Sequence, residues 1–372
     1  MELVNRLPIP AFAFRQFDRK GDLDCVVAVR GTFMHVQDGE LRLAREQEDF
    51  QWEDAYDGDP HLGVMLRQTD LTPEKPGTDV TFLGNTYAPS GQPSRTWLCS
   101  LRIGSLQKTL RVHGKRLWQP VVHDRWAGFS AREPKHILED WTLTEPEPVD
   151  RVSLSWANAF GGRIPGTENP EAGIPIDVER HNPLGCGIVN LDMEPDAGPQ
   201  PAPLITAPGE TTLDWHTRYA PQGFGPISPW WRQRQQYTGT YDDDWVQKRH
   251  PLLPEDFDPR FWQCADPDLI AIPWLEGDEE YELENLHPRL IAARGRLPGV
   301  MLGVHCQRED RDEWHVLNLD GVHFDWRDDE RVLITWRARF PLQDAGETTL
   351  TLSRVVIEET PTADAPHHEA AE

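Results

Sequence analysis

The chain has 372 residues, enough for one large or two ordinary domains with a well-buried core. Its 37 Lys and Arg against 62 Asp and Glu give a net charge of −25, and the acids are spread along the chain, which argues against nucleic acid as a partner. Five cysteines lie far apart, odd in number and without a C-x-x-C pair, so neither a disulfide framework nor a zinc knuckle is expected.

The N-terminus, MELVNRLPIPAFAF, has no basic stretch followed by an apolar run, and no transmembrane span can be read, so a cytoplasmic protein without membrane insertion is expected. From Ala11 to about Trp118 the pattern is β. Asp24 to Val36 is rich in Val, Thr and Phe, and a Gly-containing turn over 37–40 leads into Leu41 to Ala44. Asp70 to Val80 reads as a shaped loop in which Lys75 and Asp79 pair at the surface, contributing little stability. Trp97, Cys99, Leu101 and Ile103 alternate with polar neighbours, Gly104-Ser105 turns the chain, and Leu106, Leu110 and Val112 resume the period, which predicts a hairpin. An S-x-x-K match at Ser105 to Lys108 falls on that turn and is read as structural.

From Val121 to Pro148 the signal is ambiguous, with one short strand at Asp140 to Thr144. Arg151 to Phe160 alternates again. Arg163 to Trp231 is rich in Pro and Gly, in a chain whose 28 Gly and 33 Pro exceed the usual combined share of about 12%. A segment of that kind is expected to serve partner recognition, with an inert ordered loop as the alternative. Its RHNPLGCGI run lacks the third glycine and the preceding strand of a dinucleotide cradle.

Gly239 to Leu269 is the stretch around which the chain is organised. Two short helices are predicted, the first capped by Thr240 and stopped by Pro251, the second starting near Pro254 and carrying Phe257, Phe261 and Trp262 on one side. They make a clasp whose rings, Trp245 and Phe261 among them, are expected to be buried. An acidic, Trp-walled ligand site around Asp242, Asp243 and Asp244 is the alternative. Short strands follow at Tyr281 to Leu286, Val300 to Gln307, Trp314 to Leu319, Arg331 to Phe340 and Thr348 to Ile357. Val332, Ile334 and Trp336 share one face, and the tail from Glu359 is expected to be disordered.

No G-x-S-x-G, H-E-x-x-H, P-loop or EF-hand pattern occurs, and the histidines are scattered without ligand spacing. No enzyme activity, cofactor or metal is expected from these residues. A glycosidase needs only two carboxylates placed by the fold, so a carbohydrate-binding or carbohydrate-hydrolysing β-sandwich protein stays open as the alternative.

Five stretches, KPGTDV (75–80), AFGG (159–162), HNPLGCG (181–187), PQGFGPISPWWRQR (221–234) and the Gly239 to Leu269 clasp, together resemble the type VI secretion effector-adaptor family, first catalogued as an uncharacterised bacterial domain. Phe160 departs from the family pattern, which more often shows Tyr. The resemblance implies a cytoplasmic adaptor or chaperone that binds a secreted effector, through a PAAR-like spike-tip domain, and helps mount it on the VgrG spike. Its motif residues, structural or partner-binding, are Lys75, Pro76, Gly77, Asp79, Asn182, Pro183, Gly185, Trp230, Trp231, Arg234, Tyr241, Asp242, Trp245, Asp256 and Phe257. The fold expected is mainly β (α+β): an N-terminal β lobe over 1–148, a loop-rich middle with the helical clasp over 149–270, and a C-terminal β lobe over 271–358, then the acidic tail, all one family unit.

Overall fold

The computed structural model describes residues 1–36, 39–125, 135–164, 177–309, 311–342 and 347–355. The fold is mainly β, as its alternating and β-branched segments predict. The expected tail beyond Glu359, and part of the turn at 37–40, lie outside the described residues.

In a ten-stranded, nearly closed sheet seven strands run in the order Glu2–Asn5, Thr349–Arg354, Leu302–Gln307, Asp312–Asp325, Arg331–Pro341, Leu23–His35 and Ala11–Phe17, and Leu41–Leu43 also pairs with Leu23–His35. Thr78–Leu83 lies parallel to the Asp312–Asp325 strand, with Ile270–Ala271 beyond it. A second sheet orders Ile205–Thr206, Leu106–His113, Thr96–Ile103, Glu280–Glu284 and Ala292–Arg296. Both sheets therefore mix strands from the two ends of the chain, and the boundaries expected at 148 and 271 do not separate two lobes. Hydrophobic pattern marks strands but carries no information on which distant strand each will pair with.

One core joins the two sheets. Trp97, Leu101, Leu110 and Leu283 from the smaller one share a cluster with Val27, Phe82, Phe324 and Trp336 from the larger. Tyr281 packs edge-on to Phe324 at 5.2 Å, and its hydroxyl lies 2.7 Å from His35 Nδ1. The Thr96–Ile103/Leu106–His113 hairpin forms as predicted, with Gly104 at φ 54 in its turn.

Other segments differ from the sequence reading. The ambiguous region holds a long hairpin, Leu117–Arg125 with Lys135–Leu143, which has its own small core of Trp118, Leu138, Trp141, Val189 and Ala202. The alternating run from Arg151 is a strand only to Ser153. Ser155 then accepts the Ala157 N–H and caps a 3₁₀ turn over Trp156–Asn158. Trp314–Leu319 is the middle of a strand running from Asp312 to Asp325, with a bulge between Leu319 and Gly321. Val332, Ile334 and Trp336 are buried on one face as expected, but Leu333 and Arg337 on the other face are buried too.

Candidate functional site: an ionic brace and an exposed clasp

The KPGTDV loop lies inside the protein. Lys75 Nζ donates to Asp79 Oδ2 at 2.7 Å, and both side chains are buried rather than forming the surface pair expected from sequence. The backbone N–H of Cys264, at the end of the clasp, donates to the same Asp79 oxygen at 2.9 Å. Burial opposes charge on Lys75, yet the nearby Asp79 carboxylate outweighs it and leaves the lysine pKa above its usual value. Burial pushes the Cys264 thiol up to about 12, so it is a neutral thiol at physiological pH. Gly77 admits the close approach: a Cβ there would lie 2.1 Å from the Ala271 carbonyl oxygen. Pro76 lines a cleft beside Trp274, whose indole N–H donates to the Lys75 carbonyl at 3.1 Å.

Around this pair lies a layer of buried charge that covers the second face of the Arg331–Pro341 strand. Arg337 Nε donates to Asp320 at 2.5 Å and its Nη1 to the Asp70 carbonyl at 2.9 Å. Arg30 pairs with the Asp70 carboxylate. Burial holds His323 down at about 4, so its imidazole is neutral where it meets the Thr81 hydroxyl at 2.8 Å. Sequence reading missed this layer. Its signal was arginine set within two apolar runs, Arg30 in VVAVRGTF and Arg337 and Arg339 in VLITWRARF, where charge is costly to bury without a partner.

The remaining motifs brace the loops onto this layer. Trp231 is fully buried and packs edge-on to Trp156 at 5.6 Å and to Trp230 at 6.1 Å. Arg234 is buried, donating to the carbonyls of Ile227 at 2.8 Å and Phe261 at 2.9 Å, with its guanidinium over the Phe261 ring. Asn182 donates from Nδ2 to the Trp156 and Phe160 carbonyls at 2.8 and 3.0 Å. Gly185 passes so close that a Cβ would sit 2.5 Å from Asn182 Nδ2, while Pro183 is half-buried. Arg232 N–H donates to the Arg180 carbonyl at 2.8 Å, tying HNPLGCG to PWWRQR. Gly185 and Gly187 of the Pro- and Gly-rich middle segment thus have a packing reason, a Cβ on Gly187 falling 2.4 Å from Pro203 Cδ, whereas Gly198 and Gly209 face open space. Phe160 packs edge-on to Tyr219 at 5.6 Å. Lys108, the S-x-x-K lysine, is buried and pairs with Asp266 at 2.7 Å, a structural role.

The clasp differs from its predicted form. The first helix is Asp243–Lys248, and its cap is Asp242, whose carboxylate accepts the Trp245 N–H at 2.9 Å; Thr240 instead donates from its N–H and hydroxyl to Asp256 at 2.9 and 2.8 Å. Phe257 precedes the second element, a 3₁₀ turn over Pro259–Trp262 capped by Asp258, so no second α-helix forms at Pro254. Phe257 is buried and contacts Phe261 and Trp262 at 5.7 and 5.8 Å. Arg249 Nη2 donates to the carbonyls of Arg19 and Leu253, fastening the loop to the edge of the large sheet.

Trp245 and Phe261 are half-buried, against the expectation that both are core. Trp245 keeps one hydrogen bond, from Nε1 to the Leu252 carbonyl at 2.8 Å, and packs on Tyr241 at 4.7 Å. Trp245→Ala is therefore expected to cost about 1–2 kcal/mol in urea unfolding, from one hydrogen bond and partial burial, rather than the larger loss of a fully buried ring. The helix buries none of its residues; Val246 is 59% exposed and the neighbouring Tyr241 is 52% exposed. An acidic site with tryptophan walls does not form around Asp242, Asp243 and Asp244, since all three residues are exposed, Asp242 caps the helix and Asp244 pairs with Lys248.

Among the described residues no group of three or more His, Cys, Asp or Glu side chains is placed to hold a metal ion, and no helix is long and apolar enough to cross a membrane. No curated protein and no solved structure matches the chain. A family model described as "Uncharacterized protein conserved in bacteria (DUF2169)" matches residues 20–337, a span that takes in the ionic layer, the brace and the clasp. The chain is thus a member of that bacterial family.

Proposed function

We propose that this protein is a non-catalytic cytoplasmic adaptor that holds a type VI secretion effector, through that effector's PAAR-like region, for loading on the VgrG spike. The family resemblance of the motifs supplies the cargo class. The observation that carries the reading is the contrast within the clasp: Arg249, donating to the Arg19 carbonyl, and the Phe257 carbonyl, accepting from Arg19, fasten its base to the body, while the helix and Tyr241 stay uncovered. A tyrosine and a valine held out on a fixed base suit an interface anchor, and the exposed acidic residues at 242–244 favour a basic cargo surface.

The test is co-expression with each effector encoded beside the gene, pull-down, and secretion from a strain lacking the adaptor. The native chain is expected to co-purify with one effector. The Tyr241→Ala/Val246→Asp variant is expected to keep its melting temperature and lose at least tenfold in affinity, since two anchors worth about 1.4 kcal/mol together already account for that factor. Normal secretion of every effector in the deletion strain, with no co-purification, overturns the reading.

The second reading, a carbohydrate-binding protein, rests on Trp314. Its ring is 59% exposed on the outer face of the large sheet and stacked beside His305 at 5.1 Å. A glycan array and a hydrolysis screen separate the two, because the adaptor gives no signal in either.

A further inference from the structure

We propose that the cavity lined by the ionic layer is a binding site for about two ordered water molecules, which complete the hydrogen bonding of Asp79, Asp320 and Gln68. The cavity measures about 60 Å³, and Gln68, Asp70, Lys75, Asp79, Asp320 and Arg337 are among the residues that line it. Three atoms of the residues that line it, Asp79 Oδ1, Asp320 Oδ1 and Gln68 Oε1, have no hydrogen-bond partner among the described residues. Each belongs to a side chain more than nine-tenths buried. Buried acceptors of this kind are rarely left bare, because each forfeits its full hydration without replacement.

All three orphan atoms are acceptors, so the occupant must donate. The neighbouring protein donors bond other acceptors: Lys75 and the Cys264 N–H the Asp79 Oδ2, and Arg337 the Asp320 Oδ2 and the Asp70 carbonyl. Charge then chooses between water and a monovalent cation. Arg30, Lys75 and Arg337 pair one for one with Asp70, Asp79 and Asp320, and Arg67 pairs with Glu48. A further cation would be buried without a counter-charge, which is strongly unfavourable, whereas water adds none. Size agrees with this choice. At a liquid share of about 30 Å³ each, two waters fill the space and offer four hydrogens to three acceptors. The KPGTDV stretch, through Asp79, and the Asp312–Asp325 strand, through Asp320, are then joined by solvent as well as by their direct strand pairing.

A high-resolution crystal structure of the native chain, with and without a rubidium soak, tests this. Water oxygens are expected within hydrogen-bonding distance of Asp79 Oδ1 and Asp320 Oδ1, with no anomalous peak in the cavity after soaking. A dry cavity overturns the proposal, and so does a rubidium peak, which would make the site a cation site.

Discussion

Asp79→Ala is expected to destabilise the protein by about 3–5 kcal/mol, the loss typical of removing one member of a buried ion pair. Asp79 is 3% exposed and accepts both the Lys75 ammonium and the Cys264 N–H. Removing the carboxylate leaves that ammonium buried beside a second donor without an acceptor, so two desolvation costs fall on one substitution. Lys75→Met alone should cost less, because Asp79 would keep the Cys264 hydrogen bond. In the double variant the two losses should fall well short of adding, since each single change strands the other's partner. Urea unfolding at pH 7 of the two single variants and the double measures this. Additive losses, or an Asp79→Ala effect below about 1 kcal/mol, would show that the pair is solvated. The exposed Asp243→Ala serves as control and should change stability by no more than about 0.5 kcal/mol.

The sequence displayed the strands better than their arrangement. Leu23–His35, the Thr96–His113 hairpin and Arg331–Pro341 were legible because β-branched and alternating residues announce a half-buried pleat. Their mixing across both ends of the chain was not, because register and neighbour choice depend on contacts hundreds of residues apart, such as Arg337 opposite Ala28. At the site, the Lys75–Asp79 spacing revealed a pair but not its depth. Burial there is imposed by Asp320, Arg337 and Cys264, which arrive from distant strands and loops. The clasp misled for a related reason. Trp245, Phe261 and Val246 have the composition of a core helix, but a helix of six residues on a turn-fastened loop has too little apolar face to draw itself inward. Phe257, outside any helix, is the ring that anchors it.

Lowering the pH from 7 to 5 is expected to remove about 4 kcal/mol of stability through His113 and His323. Burial holds His113 down at about 3, with Arg116 and Arg111 adding to it, and burial holds His323 at about 4, against the ordinary 6.5. Both groups have a folded pKa below the unfolded one. Their contribution is therefore complete above about pH 6.5 and is lost as the pH falls toward the folded values, because the unfolded chain takes up protons that the folded chain refuses. At pH 5 the unfolded histidine is ahead by about 1.5 pH units, or about 2 kcal/mol for each residue. His287 and His315 are also shifted down by burial and act in the same direction. His113 sits between the hydroxyls of Thr96 and Thr206, each at 3.2 Å, so His113→Gln keeps polar contacts while removing the titration. That variant should lose about 2 kcal/mol less than the native chain between pH 7 and pH 5. Urea unfolding at pH 7, 6 and 5 reads both slopes. A native stability that stays flat across that range would mean that these imidazoles reach solvent in the folded protein.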